Sequence, residues 1–148
     1  MGTIVVGVDH SNGAKAALGF ALAEAQLRHA VVRAVHAWRF GYVDAPGYQG
    51  FAPASTIELG ELHRAAEAAL DTTLAGFASE AGAVEIERRV VEGAPAQVLV
   101  DESHDAELLV VGSRGHGGFA GLLLGSVSQQ CAQHAACPVV IIPHGRGG

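Results

Sequence analysis

Residues 110–127 read Val-Val-Gly-Ser-Arg-Gly-His-Gly-Gly-Phe-Ala-Gly-Leu-Leu-Leu-Gly-Ser-Val, and few folds accommodate such a stretch. An apolar run from position 107 suits a buried strand, and Gly112 ends it. A loop carrying Gly115, Gly117, Gly118 and Gly121 follows. Gly125-Ser126 then opens a segment whose Val127, Cys131 and Ala135 recur at helical spacing. Strand end, glycine loop and helix start therefore converge on one point.

That point has the chemistry of an anion site. The first amides of a helix lack intrahelical partners and carry partial positive charge. Glycines let neighbouring loop amides turn inward toward the same anion. Ser126, at the expected N-cap, offers a hydroxyl, and Arg114 offers a guanidinium fork matched to phosphate oxygens. His116 is a second candidate for the same contact. A surface loop followed by a helix cap is the plainer alternative for these residues.

The rest of the chain alternates strands and helices. Thr3-Ile4-Val5-Val6-Gly7-Val8 is a β-branched run of the kind found in a central parallel strand. It ends at Asp9, and His10-Ser11-Asn12-Gly13 supplies turn and N-cap residues. Ala14, Ala17, Leu18, Ala21, Leu22 and Ala25 then mark a helix reaching about His29. Val31–Trp38 is a second strand. Residues 39–55, with Gly41, Pro46, Gly47, Gly50 and Pro53, are expected to be irregular, and a long helix is expected from Thr56 to near Gly82. Residues 84–91 form a third strand, whose Glu85, Glu87 and Arg88 place it toward a sheet edge. A short helix starts at Gly93-Ala94-Pro95, with proline where its missing N–H costs nothing. The strand before the glycine loop is the fourth. The fifth is Val-Val-Ile-Ile at 139–142, bracketed by Pro138 and Pro143. Proline cannot donate to a ladder and favours edges.

Alternation with crossovers of this length predicts an α/β fold: a single doubly wound domain over residues 1–148 with a five-stranded parallel sheet in the order 3-2-1-4-5. Residues 144–148 are expected to be a loose tail. In such sheets ligands sit beyond the carboxyl ends of the strands where the order reverses. Asp9 and Gly112 close the two strands that flank that point. A very apolar edge strand needs a cover, so a two-fold homodimer through Val139–Ile142 is expected.

The spacing Gly112-x2-Gly115-x9-Gly125-Ser126 resembles the nucleotide signature of the universal stress protein family. The likeness extends through Leu123-Leu124-Gly125-Ser126-Val127-Ser128 and Cys137-Pro138-Val139-Val140. It implies the adenine nucleotide alpha hydrolase-like fold and a homodimer that binds ATP or another adenine nucleotide as a stress-response regulator. By the same resemblance Gly112, Arg114, Gly115, Gly125, Ser126 and Val127 match phosphate-contacting positions, while Val8 and Ala37 fall where the adenine is lined. A carboxylate beside phosphates makes sense once the ligand carries a sugar, so Asp9 is the expected ribose acceptor, with helix N-cap as its other reading. Gly7 departs from the proline frequent at that position in nucleotide-binding members.

Charge and composition narrow the alternatives. A formal net charge of −6 with nine basic residues provides no clustered positive field for nucleic acid. No apolar run reaches membrane-spanning length and no signal peptide is seen, so a cytoplasmic protein is expected. His29, His63, His104, His134 and His144 lack paired spacing, which argues against a metal site. His36 reads as a core or dimer-side histidine rather than a catalyst, and His10 stands where it could approach the expected nucleotide. Cys131 and Cys137 read as small apolar groups in a reduced compartment. The chain has neither the Gly-Lys-Ser/Thr of a P-loop nor paired carboxylates near the glycine loop, so no catalytic residue is assigned. Slow ATP hydrolysis would need bound Mg2+ and a trapped water. A pyrophosphatase-like enzyme of the same fold is the alternative, although Asp9-His10-Ser11-Asn12-Gly13 departs from the Ser-Gly-Gly-x-Asp-Ser loop of those enzymes. A dimeric interaction module with an empty pocket is the third.

Overall fold

The β-branched and leucine-rich runs become the middle of one sheet because both of their faces can be covered. The computed structural model describes residues 2–39, 42–45, 48–51, 59–113 and 124–143. Strands β1 (Thr3–Gly7), β2 (Val31–Trp38), β5 (Ile86–Glu92), β6 (Leu108–Gly112) and β7 (Val139–Ile142) form a five-stranded sheet in the order β5-β2-β1-β6-β7. Every pairing in it is parallel. This is the 3-2-1-4-5 order read from the sequence.

Alternate side chains of the central strands enter opposite cores. Ile4 and Val6 of β1, with Leu108 and Val110 of β6, pack under α1 (Asn12–Arg28), α2 (Leu59–Ala75) and the short α3 (Ala78–Ala81). Val5, Leu109 and Val111 face Val98 and Leu99 of α4 (Pro95–Glu102) and Cys131 of α5 (Ser126–His134). The doubly wound arrangement follows from this two-residue alternation, since each face needs its own apolar cover. In α1 all six apolar stripe residues are buried. The helix ends at His29, whose left-handed backbone lets its N–H reach the Ala25 carbonyl.

Three local expectations are corrected. Residues 39–55 are not wholly irregular: β3 (Tyr42–Ala45) and β4 (Tyr48–Phe51) pair antiparallel, with Ala45 opposite Tyr48. Only Pro46 and Gly47 separate those partners, a hairpin spacing. The long helix is not continuous to Gly82. It closes at Ala75 as Gly76 N–H and Phe77 N–H fold back to the carbonyls of Thr73 and Leu74, and α3 starts afresh. The third strand begins at Ile86 rather than at position 84. Both edges fall where the charges and prolines put them, with β5 at one side and β7 at the other. The expected tail at 144–148 lies outside the described residues.

Below the sheet, a charged cluster joins β2, β5 and α4. The Arg33 side chain is 9% exposed, and its Nη1 lies 3.1 Å from Glu102 Oε2 and 3.0 Å from Asp105 Oδ1. Arg89 Nη1 meets the other Glu102 oxygen at 3.1 Å. Burial opposes the Arg33 charge, but the bond to Asp105 and the charges of Asp105, Glu87 and Glu102 outweigh it and leave its pKa raised. Cys131 is fully buried; desolvation, with the nearby Cys137 thiol, pushes its pKa up to about 11. Burial raises Cys137 as well. Burial thus disfavours the reactive thiolate form at both positions.

Candidate functional site

Strand order reverses between β1 and β6, which places a crevice at their carboxyl ends. Two helix starts close on it. The first is the N-terminus of α1, capped by Ser11, whose Oγ accepts from Ala14 N–H at 3.1 Å. Asp9 is therefore not the helix cap. One of its carboxylate oxygens instead accepts Ser11 N–H at 3.0 Å and Ser11 Oγ–H at 2.5 Å, which holds the half-buried carboxylate at the mouth of the turn. The first turn of α1 presses against β6 so closely that a Cβ on Gly112 would lie 2.9 Å from the Gly13 carbonyl carbon and 3.0 Å from its oxygen. Absence of a side chain at Gly112 lets helix and strand meet.

The second helix start is that of α5. Its N-cap is Gly125, not Ser126 as the sequence implied, and no side chain caps it. Ser126 is exposed, and the hydroxyl that organises the region belongs to Ser128. Ser128 Oγ–H lies 2.9 Å from the Ser113 carbonyl and 3.0 Å from that of Gly125. The Ser113 carbonyl also accepts Gly125 N–H at 2.7 Å, while Ser113 N–H donates to Ile142 at 2.7 Å. Both ends of the glycine loop are thus tied to one buried carbonyl beside the uncapped start of α5. Arg114, Gly115 and His116 lie outside the described residues.

Val8 and Ala37 belong to opposite faces. Val8 is 3% exposed in the core under α1. Its N–H donates to Val35 and its carbonyl accepts from His36 Nδ1 at 2.8 Å, so both its polar atoms are engaged. Ala37 is half-buried near the carboxyl end of β2, against the core under α4 and α5. Val127 is half-buried there too. The sequence reading missed Ser128, although its position three residues before Cys131 sets it on the same helical stripe. Among the described residues no group of three or more His, Cys, Asp or Glu could hold a metal, and no helix is long and apolar enough to cross a membrane.

The universal stress protein family model matches residues 1–143. The chain belongs to the universal stress protein family. A universal stress protein of Mycobacterium tuberculosis strain H37Rv is 40% identical over 138 residues, covering 93% of this chain and 44% of the relative. One from Mycolicibacterium smegmatis is 37% identical over 139 residues, covering 94% and 45%. The chain thus spans less than half the length of these curated relatives. Among solved structures, a universal stress protein in complex with cAMP is 27% identical with a TM-score of 0.69, covering 95% of this chain and 96% of the other. The universal stress protein of Archaeoglobus fulgidus in complex with dAMP is 26% identical with a TM-score of 0.66, covering 96% and 98%. These structures share the α/β domain described above.

Proposed function

We propose that this universal stress protein domain binds ATP or a related adenine nucleotide at the β1–β6 crevice and that occupancy serves as a regulatory signal. The observation that carries the proposal is the double tie at the Ser113 carbonyl, which returns the glycine loop to the uncapped amides of α5 while β1 delivers Asp9 to the same crevice. Such an arrangement suits a ligand with an anionic end and hydroxyls. In this reading Gly112, Gly115, Gly125, Ser126 and Val127 contribute backbone to the phosphate cradle, with Arg114 and His116 as its cationic side. Asp9 accepts the ribose hydroxyls, Ala37 borders the base, and Val8 backs the pocket from the core. The complexes of relatives with cAMP and dAMP support an adenylate over other anions. ATP is the form proposed for this chain, with Mg2+ as its companion ion.

The proposal is tested by denaturing purified protein and analysing the released small molecules, followed by titration with ATP. Gly115→Val and Gly125→Val should bind at least about tenfold more weakly, because each side chain enters the phosphate space. Gly125 has φ −73° and ψ 169°, an extended backbone that valine adopts freely. Equal binding by wild type and both variants would exclude this site.

The functional unit in this proposal is a homodimer through β7. All four residues of Val139–Ile142 are half-buried at an open sheet edge, and Val140 and Ile142 reach one core while Val139 and Ile141 reach the other. A second copy would cover that edge. Sedimentation equilibrium should give the mass of two chains; a single-chain mass at tens of micromolar would reject the dimer.

A further inference from the structure

We infer that His10 is a positioning residue that fixes the angle of Asp9 toward the sugar of the ligand, an inference that rests on the nucleotide-binding reading above. His10 has φ +66°. Side chains other than glycine's seldom occupy that region, and a residue held there marks a site where the side chain or the geometry is needed. Among the described residues only His29 shares this trait outside glycine, and it is accounted for as the C-cap of α1. His10 closes no helix. It sits in the turn directly after Asp9, where glycine would satisfy the backbone without strain.

The ring explains the choice. His10 Nδ1 is hydrogen-bonded to Thr73 Oγ1 of α2 at 3.1 Å, and the ring lies 4.6 Å from that of His36, tilted by 45°. His36 is itself buried, and its Nδ1–H donates to the carbonyl of Val8; a carbonyl only accepts, so the proton sits on Nδ1. Asp9 is thereby flanked on both sides. Val8, before it, is pinned by His36, and His10, after it, is pinned by Thr73 and by the ring of the same His36. With the two neighbouring residues fixed to β2 and α2, the backbone of Asp9 has little freedom, and its carboxylate keeps the direction that Ser11 reinforces. A hydrogen bond to a charged acceptor depends strongly on that direction.

The test is discrimination between nucleotides, measured by calorimetry with ATP, 2′-deoxyATP and 3′-deoxyATP on wild type, His10→Gly and Thr73→Val. Wild type should bind ATP at least about tenfold more tightly than one of the two deoxy forms, the size expected for a hydroxyl bonded to a carboxylate. His10→Gly relieves the backbone and should unfold at the same temperature as wild type or higher, yet its discrimination should fall to about twofold or less, and Thr73→Val should move the same way. Retention of wild-type discrimination by His10→Gly overturns the inference while leaving nucleotide binding intact. Equal binding of all three nucleotides by wild type overturns it too, because no hydroxyl contact would exist to be positioned. Absence of binding by wild type rejects the nucleotide reading itself, and the inference with it.

Discussion

Gly112→Ala is expected to lower the unfolding midpoint by about 2–12 °C and to abolish nucleotide binding. The added methyl would stand 2.9, 3.0 and 3.2 Å from the carbonyl carbon, oxygen and Cα of Gly13. All three are backbone atoms in the first turn of a helix, so no side chain can swing aside. The helix must move. It cannot move cheaply, because α1 buries Ala14, Ala17 and Leu18 against the sheet only one or two turns further on. Overpacking of this kind costs about 1–3 kcal/mol, and a chain of this size loses about 2–4 °C per kcal/mol. Urea and thermal unfolding of the variant give the first number, and titration with ATP gives the second. An unchanged midpoint would mean that α1 and β6 are not in contact as described. The consequence for interpretation is specific: the first glycine of the signature is needed for packing whether or not a ligand is present. Loss of binding in a Gly112 variant therefore says little about the ligand, and the decisive substitutions are those at Gly115 and Gly125.

The parts of the fold that were legible in the sequence are those where one physical demand acts alone. A β-branched run covered on both faces has few other uses, so β1 and β6 could be read directly, and the six small and leucine residues of α1 repeat at one period without interruption. Proline at positions 138 and 143 and the charges of Glu85, Glu87 and Arg88 likewise identify the two edges. The hairpin of β3 and β4 was obscured because its strands are four residues each and the Pro46-Gly47 step that joins them also fits an irregular loop. The end of α2 at Ala75 was hidden for a related reason: the apolar spacing continues across Gly76 to Phe77, and only the fold-back bonds to Thr73 and Leu74 reveal the break.

At the site, sequence spacing placed Asp9 and Gly112 at the ends of adjacent strands, but not the roles of individual hydroxyls. Ser126 and Ser128 are equally good donors on paper. Which one organises the loop depends on the direction each faces, and Ser128 lies on the buried stripe with Cys131 while Ser126 points outward. The left-handed backbone of His10 is a second feature without a sequence signal, since His10-Ser11-Asn12-Gly13 offers glycine and asparagine as more conventional carriers of positive φ.

Arg33→Met should destabilise the protein by about 2–3 kcal/mol near neutral pH, with a difference from wild type that shrinks in acid. Removing one member of a buried ionic group leaves its partners desolvated without compensation, a cost of about 3–5 kcal/mol for a fully enclosed pair. Here Glu102, 10% exposed, keeps only Arg89, whereas Asp105 and Glu87 are 67% and 39% exposed and regain water. Solvent screening at those two carboxylates reduces the expected value below the enclosed case. The pH dependence follows from Asp105, whose pKa is lowered first by its hydrogen bond to Arg33 and further by the charges of Arg33 and Arg89. A carboxyl with a depressed folded-state pKa contributes stability above its unfolded value, about 3.9, and that contribution disappears as pH falls through the lowered one. Urea unfolding of both proteins between pH 3 and pH 7 should therefore show curves that converge below about pH 4. Identical midpoints at neutral pH would mean that the desolvation of Arg33 cancels everything its three carboxylates return.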